Sequence, residues 1–172
     1  GILYDASGND SYRGGFFVQG AGYCGIGVLI DRAGNDRYFA DIFAQGVGLP
    51  GGVGEILDIS GEDVYFSGGK YEDFREKGRY LSLSQGFGYG FRPFFSGGLG
   101  ILRDFSGNDT YIGDYFCQGA SYWFSLGLLI DDGGNDSYVA RRYSQGGTHL
   151  TVGLLRDRAG NDNYFSWGVS QG

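Results

Sequence analysis

One eight-residue pattern, D-x-x-G-[NE]-D-x-Y, recurs six times in 172 residues and restricts this chain to very few kinds of fold. The copies are DASGNDSY (Asp5–Tyr12), DRAGNDRY (Asp31–Tyr38), DISGEDVY (Asp58–Tyr65), DFSGNDTY (Asp104–Tyr111), DDGGNDSY (Asp131–Tyr138) and DRAGNDNY (Asp157–Tyr164). Their first Asp residues are 26, 27, 46, 27 and 26 positions apart. A period of this length marks a repeat array, in which a unit buries its apolar face only by stacking on the next.

Two further columns run in phase with the motif. Gly stands four positions before each first Asp (Gly1, Gly27, Gly54, Gly100, Gly127, Gly153), and a branched aliphatic stands two before it (Leu3, Leu29, Ile56, Leu102, Leu129, Leu155). The residue between that aliphatic and the Asp varies, so the segment reads as a strand with one face inside. The following G-N-D is a turn, since Gly and Asn tolerate tight corners. A second strand then carries the motif Tyr, and a third ends in Gln-Gly at Gln19, Gln45, Gln85, Gln118, Gln145 and Gln171. The expected fold is all-β, a parallel β-solenoid of about six coils, 26–27 residues per coil, forming a single domain over 1–172. Units start near 1, 27, 54, 100, 127 and 153, and the third carries a large insertion at about 66–84 and 87–98. Coils stacked at roughly 4.8 Å would line up the Tyr rings in a column and let the Gln amides bond to one another along the rod. One hairpin per repeat, giving propeller-like blades, is the competing architecture.

Composition narrows the function. Gly is 36 of 172 with only 2 Pro, which excludes collagen and Pro-rich linkers. Fourteen Phe and fourteen Tyr exclude a disordered chain. The net charge is −7, and the motif holds 12 of the 16 Asp; acid concentrated in regular loops argues for cations and against nucleic acid. No apolar run approaches a membrane span. Cys24 and Cys117 fit neither a metal pair nor a disulfide framework, and the single His149 cannot build a catalytic triad.

The G-N-D-x-Tyr turn resembles the calcium-binding nonapeptide of RTX proteins, G-G-x-G-N-D-x-L-x. The match is Gly8-Asn9-Asp10 with Tyr12, then Gly34-Asn35-Asp36, Gly61-Glu62-Asp63, Gly107-Asn108-Asp109, Gly134-Asn135-Asp136 and Gly160-Asn161-Asp162. This resemblance implies a β-roll whose turns bind Ca²⁺ between successive coils. It covers about six residues per repeat, and here one motif serves each longer coil. Independently of it, stacking aligns Asp5, Asp31, Asp58, Asp104, Asp131 and Asp157 in one column and Asp10, Asp36, Asp63, Asp109, Asp136 and Asp162 in a second. Carboxylates at roughly 5 Å repel by about 1 kcal/mol or more per pair, and a hard cation with six to eight oxygen ligands would remove that cost. The competing role is turn capping, each Asp accepting amides of its own corner; a mixed arrangement would put metal on the second column and caps on the first.

These features describe a non-enzymatic, extracellular, Ca²⁺-stabilised spacer or building block of a bacterial adhesin, surface layer or filament. The chain has no Met and is in phase with the repeat at both ends, so the expected partners, besides metal ions, are further repeats of the same chain or another copy, end to end. The alternative is a glycan- or protein-binding module in the third unit, using Phe87, Tyr89, Phe91, Arg92, Phe94 and Phe95. A polysaccharide-acting β-helix enzyme would need unrepeated acids, and Glu72, Asp73 and Glu76 are the candidates.

Overall fold

The computed structural model describes all residues, 1–172, as eighteen strands without a helix. Every strand pairing is parallel and in repeat register, so the chain is a β-solenoid of six coils. The first sheet stacks Ile2–Tyr4, Ile26–Asp31, Val53–Asp58, Leu99–Asp104, Leu126–Asp131 and Val152–Asp157. The second stacks Ser11–Phe16, Arg37–Ile42, Val64–Ser67, Thr110–Ile112, Ser137–Val139 and Asn163–Phe165. A third, shorter sheet runs through Tyr115–Cys117, Arg142–Ser144 and Gly168–Ser170 before the Gln-Gly corner. The fourth side, which the sequence reading did not anticipate, holds Gly88–Tyr89, Ser121–Tyr122 and Thr148–His149. The two cysteines are free, Cys24 exposed and Cys117 buried.

Two columns fill the space between the first and second sheets. The inward aliphatics Leu29, Ile56, Leu102 and Leu129 are buried against Tyr38, Tyr65, Tyr111 and Tyr138. Six Tyr rings, Tyr12 through Tyr164, stack with centroids 4.7–4.9 Å apart and planes within 6° of parallel. Offset stacking adds about 0.5–1.5 kcal/mol per pair beyond the area buried.

The fourth side leaves no room for side chains. It presses its backbone onto the first sheet, and the Gly four before each first Asp faces it. A methyl group at Gly54, Gly100 or Gly127 would lie 1.9–2.2 Å from the carbonyl oxygens of Val47, Phe87 and Ala120. Amides of the first sheet donate across the gap: Ile101 to Gly46, Leu128 to Gly86 and Leu154 to Gly119, each at 2.9 Å. The glycine column is therefore a packing requirement that joins two layers directly, backbone to backbone.

The Gln column works differently from the expected amide ladder. Each side-chain amide turns inward and donates both hydrogens to main-chain carbonyls, one in its own coil and one in the next. Gln118, for example, reaches Tyr111 O and Val139 O, both at 3.0 Å. Gln19, Gln45, Gln85 and Gln145 repeat the arrangement. These bonds hold each Gln in a left-handed conformation, with φ of 49–59° from Gln19 to Gln145. The inter-coil amide ladder runs instead along the exposed Asn column, as where Asn135 N and Nδ2 donate to Asn108 Oδ1.

The insertion folds back onto the solenoid rather than projecting from it. Arg75 pairs with buried Asp73 and lies over the rings of Tyr115, Phe116 and Tyr143 at 4.9–5.4 Å. Glu76 accepts from Tyr115 Oη and Arg141, and Lys70 pairs with Asp41. Leu81 already bridges to Tyr115, so coil structure resumes before the expected end of the first excursion, and Gly88–Tyr89 pairs with Ser121–Tyr122, so the second excursion begins only after Tyr89.

Outside, the first sheet departs from the usual alternation. Of its seventeen outward positions, fourteen are aliphatic or Tyr; Glu55, Arg103 and Arg156 are the exceptions.

Candidate metal centre between the coils

The turn after the first sheet carries both Asp columns inward. Asp31, Asp58, Asp104 and Asp131 are fully buried, as are Asp36 and Asp136, and Asp63 and Asp109 retain 1% exposure. The end residues Asp5, Asp10, Asp157 and Asp162 are half-buried.

The first column caps the turn and holds the tyrosines. Its Oδ1 accepts the amide two residues on, from Ser7 to Asp5, Ala33 to Asp31, Ser106 to Asp104 and Gly133 to Asp131, at 3.0–3.2 Å. Its Oδ2 accepts the Tyr hydroxyls. Tyr12 donates to Asp31, Tyr38 to Asp58, Tyr111 to Asp131 and Tyr164 to Asp157 at 2.6–2.8 Å. Tyr65 reaches both Asp58 and Asp104, at 3.1 and 2.9 Å. Sequence reading gave the Tyr column a packing role ahead of a ligand-platform role and did not foresee its hydroxyl bonds to the Asp residues. The available signal was that Tyr, and never Phe, fills all six positions, although Phe would pack as well.

The second column links coil to coil. The amides of Asp10, Asp36, Asp63, Asp109 and Asp136 donate to Oδ1 of the equivalent Asp one coil on, at 2.5–2.9 Å. The other oxygen, Oδ2 of Asp36, Asp63, Asp109 and Asp136, is buried and has no partner. An orphaned buried carboxylate oxygen is costly, and here it recurs at equivalent positions in four successive coils.

Both columns converge in every gap. Carboxylate oxygens lie within 4.8 Å of one another in five triads: Asp5–Asp10–Asp31, Asp36–Asp58–Asp63, Asp63–Asp104–Asp109, Asp109–Asp131–Asp136 and Asp136–Asp157–Asp162. Such charge density without water must be neutralised by protons or by a cation. Burial, reinforced by neighbouring Asp charges, pushes Asp63 and Asp109 up to about 8, Asp136 to about 7 and Asp36 to about 6. Burial also raises Asp58, Asp104 and Asp131, against the lowering effect of the bonds they accept from Tyr hydroxyls. The Tyr hydroxyls are pushed up too, so they stay protonated donors.

The donor set suits Ca²⁺ in kind. Three oxygens mutually within 4.8 Å share a point at most about 2.8 Å from each, and a small contraction reaches the roughly 2.3–2.6 Å of a calcium–oxygen bond. Three ligands are fewer than the six to eight Ca²⁺ takes, so bidentate carboxylates or water would have to complete the shell.

The residues considered for partner binding divide. Phe87 is fully buried in the core and Tyr89 is half-buried against it, so these two serve packing. Phe91, Phe94 and Phe95 are 37%, 77% and 63% exposed, and Arg92 lies over Trp123 at 5.3 Å. Phe94 and Phe95 face Tyr23, Cys24 and Pro50 across a shallow hollow. Comparison of the chain with protein-family models, with curated proteins and with solved structures found no match to any of them.

Proposed function

We propose that this β-solenoid is a non-enzymatic structural module stabilised by calcium, a rigid spacer or building block of an adhesin, surface layer or filament on a bacterial cell. The recurrence of one unpartnered, buried Oδ2 at the same position in four coils carries the calcium reading. A catalytic pair is a single exception in a fold, whereas these acids are in every coil. The unrepeated acids also have structural work: Asp73 and Glu76 hold the insertion down, and Glu72 accepts the Gly78 amide. The RTX-like turn and the calcium logic together support an extracellular setting. At the rod ends Ile2, Tyr4, Val152 and Tyr164 are exposed at repeat positions, and further coils, of this chain or of another copy, would continue both ladders.

Equilibrium dialysis against millimolar Ca²⁺, followed by metal analysis, tests the central point. The expected result is several ions per chain, up to one for each of the five triads. Asn at Asp63, Asp109 and Asp136 together should remove most of them. A folded protein that binds none ends the calcium reading.

The hollow between Tyr23 and Phe94–Phe95 favours a second reading, a module that grips an apolar sugar face or a peptide. Phe94→Ala with Phe95→Ala should abolish binding to any ligand found on a glycan or peptide array without changing the melting temperature. Retained binding in that variant excludes the site.

A further inference from the structure

We propose that the outward face of the first sheet is a docking surface for a second copy of this chain, giving a closed two-fold dimer packed face to face. The face is in register and apolar, interrupted only by Glu55, Arg103 and Arg156. Strands of other sheets that contact it, Gly88–Tyr89, Ser121–Tyr122 and Thr148–His149, lie on its inner, glycine side. Its central aliphatics, such as Ile101 and Leu128, are only half-buried. Five strands of six residues and one of three, at about 4.8 Å between strands and about 3.3 Å per residue, make a footprint on the order of 520 Å². That is within the upper half of the roughly 300–600 Å² seen for the largest apolar patch on a soluble monomer, patches that are often functional. Two such faces bury on the order of 1,000 Å², about what a specific interface needs.

A second copy fits better than other occupants because it brings the same strand spacing and the same aliphatic columns, and aliphatic faces of two sheets interdigitate at about 10 Å. The charges choose between the two symmetric arrangements. With the two-fold axis along the rod, each coil faces itself and Glu55 meets Glu55 of the second copy, which is repulsive. With the axis along the strands, the third coil faces the fourth. Glu55 then lies over Ile101 of the second copy, one outward position from its Arg103, so the like-charge contact is avoided and opposite charges approach, although Arg103 keeps its own pair with Asp132. This contact is isologous and stops at two copies, unlike end-to-end growth, and it needs no metal.

The test is light scattering of the purified chain over a concentration series reaching roughly 100 µM, where even a small specific interface assembles. The expected result is a dimer. Val28→Lys with Leu128→Lys should make it monomeric, because the second coil faces the fifth and the two lysines meet across the interface. Val28 lies beside Glu55 on the neighbouring strand, so its new charge pairs within one copy and the fold is kept. Circular dichroism and melting temperature should match the parent chain. Leu57→Ser, which removes apolar area without adding charge, should weaken the dimer several-fold. A monomer at every concentration overturns the proposal, including a monomer whose face binds lipid vesicles instead. So does an assembly that survives both sets of substitutions.

Discussion

In EDTA the chain should melt at a higher temperature at pH 5 than at pH 8, the reverse of what surface carboxylates produce. The sign follows from which state holds the protons. Asp63 and Asp109 are pushed up to about 8 in the fold and Asp136 to about 7, against an ordinary 3.8 when unfolded. Between those values the native state binds more protons than the unfolded chain, so stability falls as pH rises. The carboxyl contribution is complete below about pH 4 and is lost as pH climbs through 7 to 8. Each pH unit between 5 and the folded value costs about 1.4 kcal/mol per group, so even one such unit on each of the three amounts to about 4 kcal/mol, and each kcal/mol moves the midpoint of a chain this size by roughly 2–4 °C. A fall of about 10 °C from pH 5 to pH 8 is therefore expected. Adding Ca²⁺ should restore most of that loss at pH 8 and do little at pH 5, because the ion and the protons compete for the same oxygens. A metal-free melting temperature that rises with pH would mean that the ladder is solvated, against the burial described above. A falling profile that Ca²⁺ does not correct would leave protons as the only neutralising agent.

Gly127→Ala should be among the most damaging single methyl additions in the chain. The new carbon would sit 1.9 Å from Ala120 O, and the neighbour is main chain on both sides, so no side chain can rotate away. The first and fourth sides must separate, and the Leu128 amide loses its bond to Gly86 O. Overpacking costs about 1–3 kcal/mol where a core can shift, and this contact cannot shift without unstacking a coil, so a loss of about 3 kcal/mol or more is expected. That is a large fraction of the stability of an ordinary domain. Gly25→Ala is the matched control, since a methyl there meets nothing closer than 3.8 Å. Its denaturation midpoint should stay within about 0.5 kcal/mol of the parent. Equal effects at the two positions would refute the layered contact.

Much of this architecture was legible in the chain, for one physical reason. A repeated residue in a stacked fold must meet its own copies, so the six-fold motif gave the number of units and, for stacked coils, the alignment of both Asp columns. A hairpin in each repeat stayed open until the strand pairings showed parallel coils. The Leu column and the turn followed from spacing. The identity of each bond did not. Gln45 and Gln118 stand at ladder positions, but only the coil geometry brings two main-chain carbonyls within reach of each amide, and a repeat cannot say which acceptor is nearer. The roles of the two Asp columns separated for the same reason, one meeting Tyr hydroxyls and the other the amide of the coil before it. The insertion gave no repeat to read, and its inward fold depends on Arg75 finding three rings contributed by later coils.

The outward face shows the division most plainly. Its Ile, Leu and Val residues are visible in the sequence, but period-two reading assigns one face to the core and assumes the other is polar. What the sequence determined by itself is periodicity, and therefore which residues share a column. What only the tertiary structure decided is what stands opposite each column. For the first sheet that is packed glycine backbone on one side and an uncovered apolar plane on the other, because a neighbour across a layer is set by the path of the chain in space and leaves no period to read.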